Sequence, residues 1–256
     1  MNKYSIYVRM NKKGASVEIR ASGNTHTGMN RNNNEDAYGI FPELSLYIVA
    51  DGLGGHAGGE VASRMAVDII RTEIGGASVT SDKEEIIKQA IQAANSGIRH
   101  KAEGDSMLHG MGTTVVVVTI NADKAVVAHV GDSRAYLIRS DIITQITIDH
   151  TVVEEYIRIG LMTPRDALYH PSRRTLSRAV GTEGAAYADF ENIRLESGDV
   201  LLLCTDGLTN MVSDKEIQQT VSELRPDAKS ITGRLIELAN NSGGIDNITV
   251  ITLCML

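Results

Sequence analysis

The sequence predicts a mixed α+β fold in which antiparallel sheets pack together and pairs of helices lie outside them. Short apolar or alternating runs, typical of strands, occur in clusters, and helical patterns occur in pairs. The regular strand–helix alternation that would indicate a parallel sheet is not seen. No internal repeat, low-complexity stretch or linker divides the 256 residues, so we expect one domain spanning residues 1–256.

The predicted strands begin at the N-terminus. Residues 4–8 and 16–20 alternate apolar and polar side chains, and residues 1–22 are interpreted as an N-terminal strand extension. The polar stretch from Gly23 to Asp36 is predicted to be a loop. Later runs are rich in apolar and β-branched residues, as in strands buried on both faces. Further strands are predicted at Leu46–Ala50, Thr113–Ile120, Ala125–Val130, Ala135–Ile138, Val200–Cys204 and Ile248–Leu253.

The predicted helices carry recognisable end signals. Gly75-Gly76 separates the first two, and Ser81 or Asp82 can cap the second. A proline after Thr163 fits the first turn of another helix. Ser213 and Glu216 have the spacing of a capping box. Helices are predicted at Gly59–Ile74, Lys83–Ala102, Asp149–Gly160, Thr163–Leu168, Ser213–Ser222 and Asp227–Asn240.

Composition narrows the class of protein. The formal charge of -7 argues against binding to nucleic acid or to an anionic membrane. Either carboxylates that a cation neutralises or a plain acidic surface explains this charge. Cys204 and Cys254 lie in apolar runs and are predicted to pack as small hydrophobic side chains. Residues 1–14 lack a secretion signal and no apolar run could cross a bilayer, so the expected location is the cytoplasm.

The stretch around Asp51 allows three interpretations. An apolar run ends at this aspartate, a glycine-rich turn follows, and a helical pattern begins at Gly59. The simplest interpretation is a turn, because Asp-Gly is a common turn dipeptide. A dinucleotide fingerprint over residues 52–57 is a weak match, since Asp51 would face a pyrophosphate with negative charge. The third interpretation is a metal site with Asp51 and a nearby carbonyl as ligands. The stretch alone favours the turn.

Other carboxylates repeat the Asp51 pattern. Asp206 follows a buried run, Asp132 follows another, and Asp246 directly precedes the last strand. Glu35-Asp36 adds a pair in the polar loop. If the strands lie in facing sheets, their ends can bring these groups to one rim. Carboxylates that close would protonate unless a cation intervened. Oxygen ligands suit Mg²⁺ or Mn²⁺ better than zinc.

An ordered set of motifs resembles the metal-dependent Ser/Thr protein phosphatases of the type 2C class, the PPM family, in its compact bacterial form. The match runs from about Thr25 to the C-terminus and leaves out roughly the first twenty residues. The motifs are Gly28-x-x-Arg31-x-x-x-Glu35-Asp36, Val49-Ala50-Asp51-Gly52-Leu53-Gly54-Gly55-His56, Gly59-Glu60-x-Ala62-Ser63, Gly112-Thr113-Thr114, Gly131-Asp132-Ser133-Arg134, Asp149-His150-Thr151, Thr205-Asp206-Gly207-Leu208 and Gly244-x-Asp246-Asn247-Ile248-Thr249.

The resemblance implies two stacked antiparallel sheets flanked by helix pairs, a four-layer α-β-β-α sandwich. It also implies a centre with two Mn²⁺ or Mg²⁺ ions. Asp51 would bridge the ions, Asp206 and Asp246 would hold the first, and Glu35 with the Gly52 carbonyl the second. Such ions lower the pKa of a bridging water, which would attack phosphorus directly.

Three further residues have roles that the resemblance implies. Asp132, with Asp206, would hold a weak third ion found in bacterial members. Asp36 would orient metal-bound water, and Arg31 would bind the phosphate through two of its oxygens. Many eukaryotic members have a histidine acid directly after the metal-binding Asp-Gly. Here that position is Leu53, so the leaving-group acid is unassigned.

The expected function is hydrolysis of phosphoserine and phosphothreonine in proteins, by a monomer that opposes a Ser/Thr kinase. Residues 149–180 correspond to the family's variable flap near the site. One alternative is a regulator phosphatase for a single anti-sigma-pathway partner. Another is a non-catalytic protein that binds metal and acts by docking, against which the complete carboxylate set argues.

Overall fold

The computed structural model describes residues 4–8, 18–54, 58–78, 82–183 and 186–256. Its strands form two antiparallel sheets. The strands are β1 (Tyr4–Val8), β2 (Ile19–His26), β3 (Asp36–Phe41), β4 (Leu46–Leu53), β5 (Gly112–Thr113), β6 (Val115–Asn121), β7 (Lys124–Val130), β8 (Arg134–Arg139), β9 (Ile142–Gln145), β10 (Asp189–Arg194), β11 (Val200–Cys204) and β12 (Ile248–Met255). The helices are α1 (Gly58–Gly76), α2 (Lys83–Glu103), α3 (Val152–Arg158), α4 (Pro164–Ala167), α5 (Asp206–Thr209), α6 (Asp214–Leu224) and α7 (Ala228–Asn241).

The two sheets draw their strands from distant parts of the chain. The first has the order β1-β2-β12-β11-β8-β9, and the second has the order β10-β7-β6-β4-β3, with β5 paired to β4. Side chains from facing strands fill the space between the sheets, among them Tyr47, Val116, Leu201 and Ile251. Because β4, β6, β11 and β12 are covered on both faces over most of their length, their sequences are largely apolar rather than alternating.

A helix pair covers the outer face of each sheet. Helices α1 and α2 pack on the second sheet around Ile70, Ile87 and Ile91. Helices α6 and α7 pack on the first sheet through residues such as Ile217 and Leu235. The layers are therefore helix, sheet, sheet, helix, which confirms the predicted four-layer α-β-β-α sandwich.

Local sequence signals predicted several helix ends correctly. Asp82 caps α2 by accepting from the Glu84 amide, and Thr163 caps α4. The Ser213–Glu216 capping box is formed at the start of α6. Gly75 and Gly76 end α1 rather than lie beyond it, and Ser81 is outside the described residues.

Several predicted boundaries were wrong. Strand β2 extends to His26, so the predicted loop begins later than Gly23, because β12 pairs with β2 along its whole length. Strand β4 continues through Asp51 to Leu53, because β5 extends the ladder at Gly52 and Leu53. The sequence interpretation missed β3, β9, β10 and the single-turn helix α5.

The two cysteines are buried and free, as predicted. The pairing of β11 with β12 places Cys204 opposite Val250 and Cys254 opposite Val200, so the thiols lie at opposite ends of the strand pair. Among the described helices, none combines the length and the apolar character that a bilayer span requires.

Candidate functional site

The predicted carboxylates meet at one rim of the sandwich. Asp36 at the start of β3 lies opposite Asp51 in β4. The Asp51 backbone is fixed from both sides, because its carbonyl accepts from the Thr114 amide at 2.9 Å and the Thr113 hydroxyl at 2.8 Å. Its amide donates to Oγ1 of Thr114 at 3.0 Å. Asp51 is therefore held rigidly inside a paired strand.

Gly52 lies at a close approach of three segments. A Cβ at this position would lie 2.1 Å from the Gly59 carbonyl oxygen and 2.4 Å from that of Glu35. The Gly52 amide donates to the Glu35 carbonyl at 3.1 Å. A Cβ at Gly59 would lie 2.5 Å from Oε2 of Glu35. Glycine at these two positions leaves room for the Glu35 carbonyl next to Gly52 and for the Glu35 carboxylate next to Gly59.

The first sheet contributes Asp206 and Asp246. Asp206 begins α5, with only Thr205 between it and β11, and Oδ2 of Asp206 accepts from Nδ2 of Asn210 at 2.8 Å. Asp246 precedes β12 and follows Gly244, which has a φ of 51°. The sharp turn brings Asp246 back toward the loop that carries Arg31, whose Nη2 donates to Oδ2 of Asp246 at 2.8 Å.

Asp132 comes from the turn after β7. Gly131 has a φ of 105°, and a Cβ there would lie 2.5 Å from Cγ2 of Thr114. Oγ1 of Thr114, which accepts from the Asp51 amide, also shares a hydrogen bond with Oγ of Ser133, 2.7 Å away. A buried hydroxyl pair thus links the backbone of Asp51 to the turn that carries Asp132.

Asp36 is held by two threonine hydroxyls. Thr205 donates to Oδ2 of Asp36 at 2.9 Å, and Thr249 donates to the same oxygen at 2.6 Å. Oδ1 of Asp36 is buried with no hydrogen-bond partner among the described residues, and so is Oδ1 of Asp206. Each carboxylate therefore has an oxygen available for another ligand.

Burial and mutual repulsion raise the pKa values of this group. Burial raises the pKa of Asp51 well above its usual value, and repulsion from Asp36, Asp206, Asp132 and Asp246 raises it further. Burial is also the main cause that raises the pKa of Asp36 to about 7 and that of Asp132 to about 7. The pKa of Asp206 is raised by burial and by the charge of Asp246. These carboxylates lie within electrostatic reach of one another.

Arg31 is a cation that hydrogen-bonds directly to this group, through Asp246. Its side chain is 51% exposed, and its hydrogen bond to Asp246 is the main cause that raises its pKa. The charges of Glu35 and Asp51 raise that pKa as well. The guanidinium therefore lies at the edge of the carboxylate rim with part of its donor set facing solvent.

The donor set fits divalent cations. Five aspartates and Glu35 offer only oxygen atoms, and two of the buried oxygens have no hydrogen-bond partner. Arg31 alone does not neutralise this charge. A hard ion such as Mg²⁺ or Mn²⁺, together with its bound water, would provide partners for the unpaired oxygens and offset the repulsion between the carboxylates. His56, at the end of the predicted glycine loop, lies outside the described residues.

A second titratable group lies behind Asp132, and the sequence analysis missed it. His129, His150 and Asp189 each place one potential ligand atom within 4.8 Å of the others. The Gly131 amide donates to Nδ1 of His150 at 3.1 Å. Burial lowers the pKa of His150 to about 4, so the neutral ring carries its proton on Nε2 and donates to Asp189 at 3.1 Å. A metal ion would have to displace this proton.

Arg178 completes that network. Its Nη1 is 2.8 Å from Oδ1 of Asp189 and 3.2 Å from Nε2 of His150. The cation already neutralises the aspartate, so this group forms a hydrogen-bonded support for the turn at Gly131. His150 had a signal in the Asp-His-Thr motif, whereas His129 and Asp189 lie on strands whose pairing the sequence does not reveal.

Comparisons with known proteins agree with this geometry. Residues 22–240 match the family described as Protein phosphatase 2C. The chain is 39% identical over 239 residues to the serine/threonine phosphatase stp of Listeria innocua, covering 91% of this chain and 94% of that protein. It is 39% identical over 240 residues to the protein phosphatase PhpP of Streptococcus pneumoniae, covering 90% of this chain and 95% of that protein.

Solved structures show the same likeness. The serine/threonine phosphatase Stp1 of Staphylococcus aureus superimposes with a TM-score of 0.87 at 33% identity, covering 97% of this chain and 100% of that one. The catalytic domain of the phosphatase PstP, solved with two manganese ions, gives a TM-score of 0.83 at 33% identity and covers 94% and 99%.

Proposed function

The chain belongs to the protein phosphatase 2C family, and we propose that the carboxylate rim around Asp51 is its catalytic centre. The protein is a metal-dependent serine/threonine phosphatase that hydrolyses phosphoproteins. The observation that carries the site assignment is the convergence of Asp36, Asp132, Asp206 and Asp246 on Asp51. These residues come from separate segments of the chain, and their mutual repulsion is costly unless cations bind.

We propose Mn²⁺ or Mg²⁺ as the bound ions. Asp51 would be shared by two core ions, with Asp206 and Asp246 on the first and Glu35 and the Gly52 carbonyl on the second. Asp132 and Asp206 would hold a weaker third ion. When bound, the ions supply positive charge that activates water and stabilises charge on the transferring phosphoryl group.

The protein's own groups bind phosphate and orient water. Arg31 would pair with two phosphate oxygens, because its planar guanidinium presents parallel N–H donors and remains charged. Asp36 would accept a hydrogen bond from the attacking water through Oδ1, since Thr205 and Thr249 occupy its other oxygen. Asp36 thereby sets the direction from which that water approaches phosphorus.

Residues 149–180 are proposed to act as a flap over substrate, in a domain that spans residues 1–256. The charge of Arg174 acts on Asp206, which supports a position of this segment beside the rim. The substrates are phosphorylated proteins. We further propose that these substrates are a Ser/Thr kinase and its targets. The protein is proposed to be a monomer and to act in the cytoplasm.

Substrate selectivity tests the proposed function. Purified protein with Mn²⁺ is assayed on matched phosphoserine, phosphothreonine and phosphotyrosine peptides. We expect hydrolysis of the first two and loss of activity in EDTA. Activity confined to one pathway-specific phosphoprotein would favour a regulator phosphatase. Mn²⁺ binding without hydrolysis of any substrate would contradict the proposal and favour a docking protein.

A further inference from the structure

Asn247 is a buried asparagine whose side chain makes three hydrogen bonds to one loop. It is 5% exposed. Oδ1 of Asn247 accepts from the Glu35 amide at 2.8 Å, while Nδ2 donates to the Thr27 carbonyl at 2.8 Å and the Asn33 carbonyl at 2.9 Å. The amide orientation is determined by its partners, since the loop offers one donor and two acceptors.

The loop held by Asn247 has no regular secondary structure between His26 and Asp36. It carries Arg31 near its middle. Its backbone is also held at Gly244, whose carbonyl accepts from the Met29 amide at 2.7 Å and the Asn30 amide at 3.3 Å. At its far end the Glu35 carbonyl accepts from the Gly52 amide and from the Ser63 hydroxyl. Residues 29–33 are exposed, so packing contributes little to their position.

The backbone of Asn247 is fixed without help from its side chain. Strand β12 begins at the next residue and pairs with β2. A Cβ at Gly207 would lie 1.9 Å from the Asn247 carbonyl oxygen, so the chain packs closely against α5 at this point. Removing the amide group therefore removes three hydrogen bonds that hold the loop, at Thr27, Asn33 and the Glu35 amide, and leaves the strand in place.

We propose that Asn247 is a positioning residue for Arg31. By fixing Thr27, Asn33 and Glu35, its amide sets both ends of the loop and keeps the guanidinium at the rim beside Asp246. The inference rests on the proposed function, because it assigns to Arg31 the binding of substrate phosphate. Losing Asn247 should weaken phosphate binding more than it slows the chemical step.

A double-mutant cycle tests this role. Asn247→Ala, Arg31→Ala and the double variant are assayed on p-nitrophenyl phosphate at saturating Mn²⁺, with the Mn²⁺ dependence measured for each. We expect Asn247→Ala to raise KM about ten-fold when Arg31 is present and less than about two-fold when it is absent. Equal factors in both backgrounds, or an unchanged KM in Asn247→Ala, would contradict the inference.

Hydrogen exchange of the metal-free chain provides a readout independent of activity. Asn247→Ala should speed exchange of the 27–35 amides and leave β12 protected. Asn247→Asp is a second variant in case the alanine protein does not fold, since it keeps the acceptor for the Glu35 amide and loses both donors. Unchanged exchange of the loop in a folded variant would contradict the inference.

Asn95→Ala is the matched control. This asparagine is 3% exposed and its Oδ1 accepts from the Gly181 amide at 2.7 Å, outside the Arg31 loop. The Asn95→Ala substitution should lower the stability of the protein without speeding hydrogen exchange of the 27–35 amides.

The two hypotheses can fail separately. If wild-type protein has no Mn²⁺-dependent hydrolysis, the proposed function fails, while the hydrogen-exchange result still shows whether Asn247 holds the loop. If wild-type protein is active and Asn247→Ala keeps its KM, only the positioning role fails.

Discussion

Replacing Asp132 by asparagine should stabilise the protein in EDTA at pH 8. Burial and the charges of Asp206 and Asp149 raise the pKa of Asp132 to about 7 in the folded chain, against an ordinary value of 3.8. Protonation of this carboxyl therefore favours folding below about pH 4, and that contribution is lost as the pH rises through 7. The difference in pKa corresponds to about 4 kcal/mol. Asparagine is neutral throughout and keeps this contribution.

Thermal unfolding of wild-type protein and Asp132→Asn in EDTA measures the effect. At pH 8 we expect the variant to unfold about 8–16 °C higher, because 1 kcal/mol shifts Tm by about 2–4 °C in a chain of this size. The two proteins should nearly converge at pH 4, where Asp132 is neutral in the folded chain and only partly ionised in the unfolded chain. Excess Mn²⁺ at pH 8 should narrow the difference, because a bound cation stabilises the ionised aspartate.

The control for this experiment is Asp141→Asn. Asp141 is exposed, pairs with Arg225 at 3.0 Å and has a positive φ of 61°, which asparagine tolerates. This substitution should not raise Tm at pH 8. A lower Tm for Asp132→Asn at pH 8, or the same gain at pH 4 as at pH 8, would show that Asp132 is not a repelled buried carboxylate.

Three further predictions concern the rim. Asp132→Ala should keep two tightly bound Mn²⁺ ions by calorimetry yet lower turnover on a phosphothreonine peptide; wild-type turnover at saturating Mn²⁺ would reduce Asp132 to a turn residue. Arg31→Ala should raise KM strongly and Arg31→Lys should recover only part of the loss, because lysine lacks the planar fork; unchanged steady-state kinetics would place Arg31 outside the site. Gly52→Ala should cost about 3 kcal/mol or more in denaturant unfolding, since its Cβ would lie 2.1 Å from the Gly59 carbonyl oxygen; wild-type stability would refute that contact.

The elements predicted most accurately were those with strong local signals. Val200–Cys204 is apolar throughout because both faces of β11 are covered, and its bounds match the prediction. The Ser213–Glu216 capping box predicts the start of α6 to within one residue. In such segments local propensity and tertiary burial favour the same structure.

The missed elements depend on partners that are distant in sequence. Strand β10 (Asp189–Arg194) is a polar edge strand, so it has no apolar run, and its pairing with β7 defines it. Strand β4 passes through Asp51 because β3 pairs with it there, and β5 extends the ladder to Gly52 and Leu53. The sequence motifs identify the rim carboxylates. The hydrogen bonds from Thr205 and Thr249 to Asp36 form only when the two sheets face each other, so the sequence does not reveal them.

The decisive experiment is a Mn²⁺ titration of phosphothreonine-peptide hydrolysis by wild-type protein and by Asp51→Asn. We expect no hydrolysis by wild-type protein in EDTA, recovery on addition of Mn²⁺, and no hydrolysis at any Mn²⁺ concentration by a folded Asp51→Asn variant. Calorimetry should show loss of tight Mn²⁺ binding in that variant. Wild-type hydrolysis at full rate in EDTA, or an active Asp51→Asn protein, would contradict a metal-dependent centre built around Asp51.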